Sequence, residues 1–263
     1  MRRLQSIAGL VLCLAGCAST PESGILPPDE QFARAQERYA DSDYQQAIAD
    51  FQTFTFNYPQ DPRVPEARWM TAEAYYQVED WATAAQEYFN FQRDHPRDER
   101  AARSLFQAGR AYQQMSLRPE LDQRDTERAV NAYDRVIVEY PRSEYVEEAR
   151  ERKAQLRDKL AEKVYLNAEF YFDHENYPAT VIYLTDLIEQ YTDTAWIPPA
   201  YALLARSQCE QGLGERASEV YLRLREDYPE SQAAQDVLQE LPERCRTTSA
   251  ASDGEASGPT SGR

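Results

Sequence analysis

The segment from Asp43 to Pro59, DYQQAIADFQTFTFNYP, returns 37 residues later within EDWATAAQEYFNFQRDHP. Such a recurrence marks a module that cannot bury its apolar face alone and must stack on the next copy. Taken singly, the end of the first copy, with Phe51, Phe54 and Phe56 ahead of Tyr58-Pro59, would pass for a strand. Its beginning places Tyr44, Ala47, Ile48 and Phe51 at the three-and-four spacing of a helix face. The second copy has Trp81, Ala84, Tyr88, Phe91 and His95-Pro96 in the corresponding places, so the segment reads as the second helix of the first repeat, with its Phe-rich end expected to face the next module.

A third copy runs Thr126, Ala129, Tyr133, Val136 and Tyr140-Pro141. A fourth has Tyr177, Thr180, Leu184, Leu187 and Tyr191, with Thr192 where Pro is expected. The fifth has Gly214, Ala217, Tyr221, Leu224 and Tyr228-Pro229. Twelve residues before the central Ala, or before Thr180, stands a small residue: Ala35, Ala72, Ala168 and Ala205. Tyr39, Tyr75 and Tyr171 follow three of these. Gly109 and Tyr112 fill the places in the third copy if its inter-helix loop is lengthened. Small residues let two antiparallel helices approach closely, rings fill the next groove, and Pro ends the second helix. The spacing resembles the tetratricopeptide repeat, and the expectation is an all-α superhelix of about five helix pairs. The scarcity of Gly, 9 in 263 residues, agrees with helix.

Residues 1–16 read as a secretory signal, with Arg2-Arg3 ahead of an apolar run from Ile7 to Ala15. That run is too short to span a bilayer, which takes about 20 apolar residues. Leu14-Ala15-Gly16-Cys17 is similar to the lipobox of bacterial lipoproteins, which implies a diacylglycerol on the Cys17 thiol and cleavage just before it. Ala18, where an Asp would imply retention in the inner membrane, favours the outer membrane and a periplasm-facing position. Residues 17–29 are then a tether, 30–246 the repeat domain, with helix from about Asp29 or Glu30, and 247–263 a compositionally disordered tail. Cys13 leaves with the signal, so Cys209 and Cys245 remain. An oxidising periplasm permits a disulfide between them; two free buried thiols are the alternative.

Formal charge is −16, and losing Arg2 and Arg3 with the signal leaves −18. A chain so acidic repels nucleic-acid phosphate and anionic lipid, which makes both poor partners. The third module carries an insert, QQMSLRPELDQRDTER, between Tyr112 and Ala129. One long helix is expected from about Glu144 to Phe172, with Ser143 as N-cap and exposed pairs such as Glu148–Arg152.

That helix narrows the resemblance. The Tyr-Pro-x-Ser-x-Tyr start (Tyr140 to Tyr145), Leu160-Ala161 and the Tyr171 end resemble the BamD family, the lipoproteins of the outer-membrane β-barrel assembly machine. The likeness covers roughly Glu30 to Pro229 and is most specific over 139–172. It implies a scaffold that binds unfolded β-barrel precursors with aromatic-rich C-terminal segments. It also implies docking of the barrel-forming core subunit and contact with other assembly lipoproteins.

No enzyme constellation emerges. His95 and His174 lie in separate modules with no Cys/His ligand spacing, and there is no phosphate loop or nucleophile elbow. No metal and no cofactor beyond the lipid on Cys17 are expected. Glu73 is the only tempting acid, and no second carboxylate is evident for glycan hydrolysis. Phe32, Trp69 and Phe106 instead recur at one position of three successive first helices, 37 residues apart. Tyr39 and Tyr76 make a second row that ends at Gln113. These rings either line a groove that grips an extended apolar peptide or pack between the helices. The expected peptide site is Phe32, Tyr39, Trp69, Tyr76 and Phe106, with Arg103 and Arg110 holding a chain-terminal carboxylate. The rival readings are another periplasmic repeat adaptor, for the Tol system, cell division or pilus assembly, and an envelope glycan hydrolase acting through Glu73.

Overall fold

The computed structural model describes residues 25–246; Cys17, the signal and the tail from residue 247 lie outside it. The described residues form eleven α-helices in five antiparallel pairs plus one. The pairs are α1 Pro28–Ala40 with α2 Tyr44–Asn57, α3 Val64–Gln77 with α4 Trp81–Asp94, and α5 Ala101–Met115 with α6 Arg124–Glu139. They continue with α7 Val146–Asp173 and α8 Tyr177–Gln190, then α9 Ile197–Glu210 and α10 Gly214–Asp227. Helix α11, Gln232–Glu240, and a 3₁₀ turn at Glu243–Cys245 are the last elements among the described residues. Each of α1 to α10 packs on its neighbours in chain order, as a stack of helix-pair repeats of the tetratricopeptide type must.

The repeat is legible in the burial pattern. Ala47, Ala84, Ala129 and Ala217 are fully buried at the centre of their second helices, opposite Ala35, Ala72 and Ala205. One turn on, Phe51, Tyr88, Tyr133, Leu184 and Tyr221 fill the next layer, and Phe54, Phe91, Val136, Leu187 and Leu224 the one after. Four of the five turns between paired helices use one residue in the left-handed region: Ser42, Glu79, Glu175 and Gly212. There the backbone closes a 6→1 bond, as from Asp43 N–H to the Arg38 carbonyl at 2.9 Å. The third pair replaces this turn with the longer loop 116–123.

The close approach is tightest at Gly109. A Cβ there would lie 2.7 Å from Cε1 of the fully buried Tyr133. Gly109→Ala should therefore lower stability by about 1–3 kcal/mol through overpacking, against the ~1 kcal/mol that Ala ordinarily gains over Gly in a helix. Urea unfolding reads the sign, and a raised midpoint would mean that the contact yields.

Several expectations need correction. Phe56 does not face the next module: it is 85 % exposed on the back of α2, since only Phe51 and Phe54 share the inward stripe. Helix begins at Pro28, so the last two residues of the expected tether are helical. The long helix starts at Val146 and is capped by Tyr145; Ser143 instead accepts the Tyr145 N–H at 3.3 Å in the preceding turn. Thr192 in place of Pro leaves the helix end unchanged, because Tyr191 (φ −121°) adopts nearly the conformation of Tyr58 (φ −126°) and likewise donates its N–H four residues back. Cys209 and Cys245 are joined, Sγ–Sγ 2.00 Å, which ties the 3₁₀ turn to α9.

Candidate functional site

The chemistry of the first-helix wall begins with rings that the repeat buries. Phe32, Trp69 and Phe106 are 6, 5 and 4 % exposed, so the expectation that they line an open groove is not met. Phe32 lies against Phe51 and Phe54, Trp69 against Tyr88 and Phe91, and Phe106 against Tyr133. The reason is geometric. Phe32, Ala35 and Tyr39 occupy one stripe at i, i+3 and i+7, so a ring at the first position shares the face of the small residue that meets the partner helix.

Each ring also has a cover from the start of the next first helix. The Arg63 guanidinium lies 5.1 Å from the Phe32 centroid, and Arg100 lies 5.9 Å from that of Trp69. Tyr145 stacks on Phe106 at 5.2 Å, and Trp196 lies 4.9 Å from Tyr165, the corresponding ring of α7. The sequence reasoning missed these covers, although Arg63 and Arg100 stand one repeat apart and each follows an Asp by two residues.

Those aspartates hold the covers in place. Asp98 accepts from the Arg100 N–H at 2.9 Å and from its guanidinium Nε and Nη2, and Asp61 serves Arg63 in the same way. Hydrogen bonds from the guanidinium are the largest cause that holds both carboxyls below the usual range, Asp61 at about 2. A depressed folded-state pKa means that the unfolded chain binds the proton more tightly. The stabilisation is therefore complete above about pH 4, the unfolded carboxylate value, and is lost as pH falls towards 2. Melting midpoints between pH 4.5 and 2.5 should fall, and Asp98→Asn should flatten that fall; an unchanged slope would deny these forks a role.

What the wall leaves accessible is polar and aromatic. Tyr39 and Tyr76 are half-buried, Arg103 is exposed and Arg110 is half-buried. The Arg103 guanidinium lies 5.0 Å from the Trp69 centroid and 3.8 Å from a carboxylate oxygen of Glu73. Glu73 in turn accepts the Tyr88 hydroxyl at 2.7 Å. Burial first, and the Glu73 charge second, push the Tyr88 hydroxyl far up and the Tyr39 hydroxyl up as well. Arg110 lies 5.5 Å from the Tyr76 centroid and donates to Gln107 at 3.0 Å. The row ends where Gln113 accepts from the Tyr133 hydroxyl at 2.8 Å and from Arg152 at 3.3 Å. The structure thus brings Tyr39, Glu73 and Arg103 together, and Tyr76 with Arg110, while it withdraws the three larger rings. Arg152, on the long helix, extends the wall and was not foreseen.

Glu73 is engaged by the Tyr88 hydroxyl and the Arg103 guanidinium, neither of them a second carboxylate. His95 replaces the Tyr at a helix end and its Nε2 is buried without a hydrogen bond, whereas Tyr140 at that place donates to the Pro96 carbonyl. His174 Nδ1 lies 2.7 Å from the Phe170 carbonyl in a turn. Among the described residues no group of three His, Cys, Asp or Glu could hold a metal ion, and no helix is long and apolar enough to cross a membrane.

A stack of helix pairs with an arginine- and tyrosine-lined wall defines a repeat protein of the tetratricopeptide class. Its family is also defined: the YfiO family, described as outer membrane lipoprotein, matches residues 26–224, and the chain belongs to it. This is the BamD-type family that the long helix resembles. Among solved structures, the chain is similar to the TPR2AB domain of yeast Sti1 in its pHSP90 complex, at 16 % identity, 80 % of this chain, 81 % of that one and TM-score 0.39. A tetratricopeptide repeat protein from Parabacteroides merdae is 15 % identical over 81 % of this chain and 91 % of its own, with TM-score 0.37. Pseudomonas aeruginosa pilF is 15 % identical over 81 % and 82 %, with TM-score 0.34. At that level of likeness nothing about partners transfers.

Proposed function

We propose that this protein is a scaffold of the β-barrel assembly machine, held on the periplasmic side of the outer membrane by a lipid on Cys17. It captures unfolded barrel precursors on the first-helix wall and docks the barrel-forming core subunit through its C-terminal repeats. The observation that carries this reading is the family match across residues 26–224, which takes in both the wall and the long helix. The wall supports a peptide role on its own terms. Arg103 and Arg110 are fork donors backed by aromatic faces, a setting suited to a carboxylate at the end of an extended, ring-bearing chain. Tyr39 and Tyr76 add amphipathic contact area at low entropic cost. The mechanism is binding and positioning.

The decisive experiment uses a synthetic peptide that ends in aromatic residues with a free carboxylate, as barrel precursors do on this reading. Arg103→Gln together with Arg110→Gln should weaken its binding about tenfold or more, with an unchanged melting midpoint. C-terminal amidation of the peptide should cost the wild type as much and the double variant little. Equal affinity for acid and amide would remove the carboxylate grip. Co-purification from detergent-solubilised outer membrane tests the docking half; recovery of Tol or pilus proteins without a barrel subunit would replace the reading.

A further inference from the structure

Helix α2 differs from the other second helices in what it turns outward. Gln45, Gln46, Ala49, Gln52, Thr53 and Phe56 are exposed and none carries a charge. Its one charged residue, Asp50, is paired with Arg34 of α1 at 2.6 Å. The later second helices expose charge: Arg93 and Asp94 on α4, Glu127 and Arg128 on α6, Glu215 and Glu219 on α10. At the C-terminal end of the charge-free face stands Phe56, 85 % exposed.

That end of α2 is also where the chain enters the fold. The Tyr58 hydroxyl donates to the Leu26 carbonyl, and Asn57 donates to Gln31 at 3.3 Å, so residues 56–58 lie beside the start of α1. Ile25, 69 % exposed, is the first described residue and comes eight residues after Cys17. A chain spans at most about 3.3–3.6 Å per residue, so an anchor on Cys17 keeps Ile25 within roughly 30 Å of the bilayer.

We propose that the outward face of α2 rests on the phospholipid surface that holds the anchor, with Phe56 seated at the headgroup boundary. The inference rests on the lipid-anchor reading given above. A domain this acidic is repelled from anionic lipid over most of its surface, and an uncharged face beside the tether is where repulsion and desolvation are least. An exposed ring there adds apolar area that the interface can bury, a second contact that reinforces acyl chains. The contact orients the stack, with the outward face of α2 against the membrane and the later repeats directed away from it.

The test uses the lipidated full chain. With Cys17 acylated and Cys209 joined to Cys245, Phe56→Cys carries one free thiol for an environment-sensitive fluorophore. Glu226→Cys, at the same place of the fifth repeat and exposed, is the control. In floated phosphatidylethanolamine–phosphatidylglycerol vesicles, the label at position 56 should be blue-shifted and quenched by spin-labelled phospholipid at least about twofold more than the control. Solvent-like emission at both positions in vesicles that carry the protein would overturn the inference and leave the anchor intact. Shielding at position 56 only in native outer membranes would assign the face to a protein partner and equally overturn it. A chain that neither floats nor shows lipid on Cys17 by mass spectrometry would remove the anchor reading, and this inference with it.

Discussion

Trp69→Ala is expected to destabilise the protein by about 3–5 kcal/mol, the usual cost of removing a large buried ring. The indole is 5 % exposed, has Tyr88 and Phe91 within 5.6 Å, and is flanked by the guanidiniums of Arg100 and Arg103. Truncation would open a cavity between α3 and α4 and leave the two cations without their aromatic face. In a repeat stack this loss also weakens the interfaces on either side, so the unfolding transition should move to lower urea and broaden. Peptide affinity should fall with the folded fraction and, in the chains still folded, by the smaller share that Arg103 loses with its aromatic face. Weakened binding with an unchanged urea midpoint would mean instead that the ring swings out to meet the ligand.

The second large effect is expected at the other end. Replacing both Cys209 and Cys245 by Ala should cost about 2–4 kcal/mol locally, because the crosslink closes a loop across a sequence separation of 36 residues. Among its described side chains, helix α11 buries Ala234 and Val237, and Leu241 follows it. Without the bond this cap should fray first, so amide exchange should rise in α11 and in the 3₁₀ turn while α1 to α6 stay protected. Uniform exchange would show that the cap is held by packing alone. A structural disulfide requires an oxidising compartment, which accords with the proposed periplasmic position.

How far the fold could be read from residues depended on which face a pattern described. The second helices were legible because their inward layers, such as Ala84, Tyr88 and Phe91, must stay apolar or small in every copy. The first helices were harder. A ring three residues from a small one, as Trp69 is from Ala72, lies on the buried stripe, yet recurrence alone marks it equally well as a ladder on an open wall. The covers settle the matter, and Arg63 and Arg100 look like ordinary surface charges until the turn carries them over the rings. Of the expected peptide site, Tyr39, Tyr76, Arg103 and Arg110 remain accessible, because the two Tyr stand in the last turn of their helices and the long cationic stems reach over the buried layer. Phe56 was misplaced for the converse reason: a run of three nearby Phe reads as one face, although 200° of helical rotation separates the last two.

The length of α7 has a consequence for any chain that follows the wall from end to end. Its first half packs with α5 and α6 through Ala149 and Leu156, and its second half packs with α8 and α9 through Ala161 and Ala168. At 28 residues it is twice the length of α3 or α9, so α8 and the pair that follows it pack about 20 Å further along its axis than α6 does. An extended polypeptide needs roughly six residues to bridge that step. On the proposed function, a chain held by its end near Arg103 must therefore run at least that much further before it meets the terminal repeats.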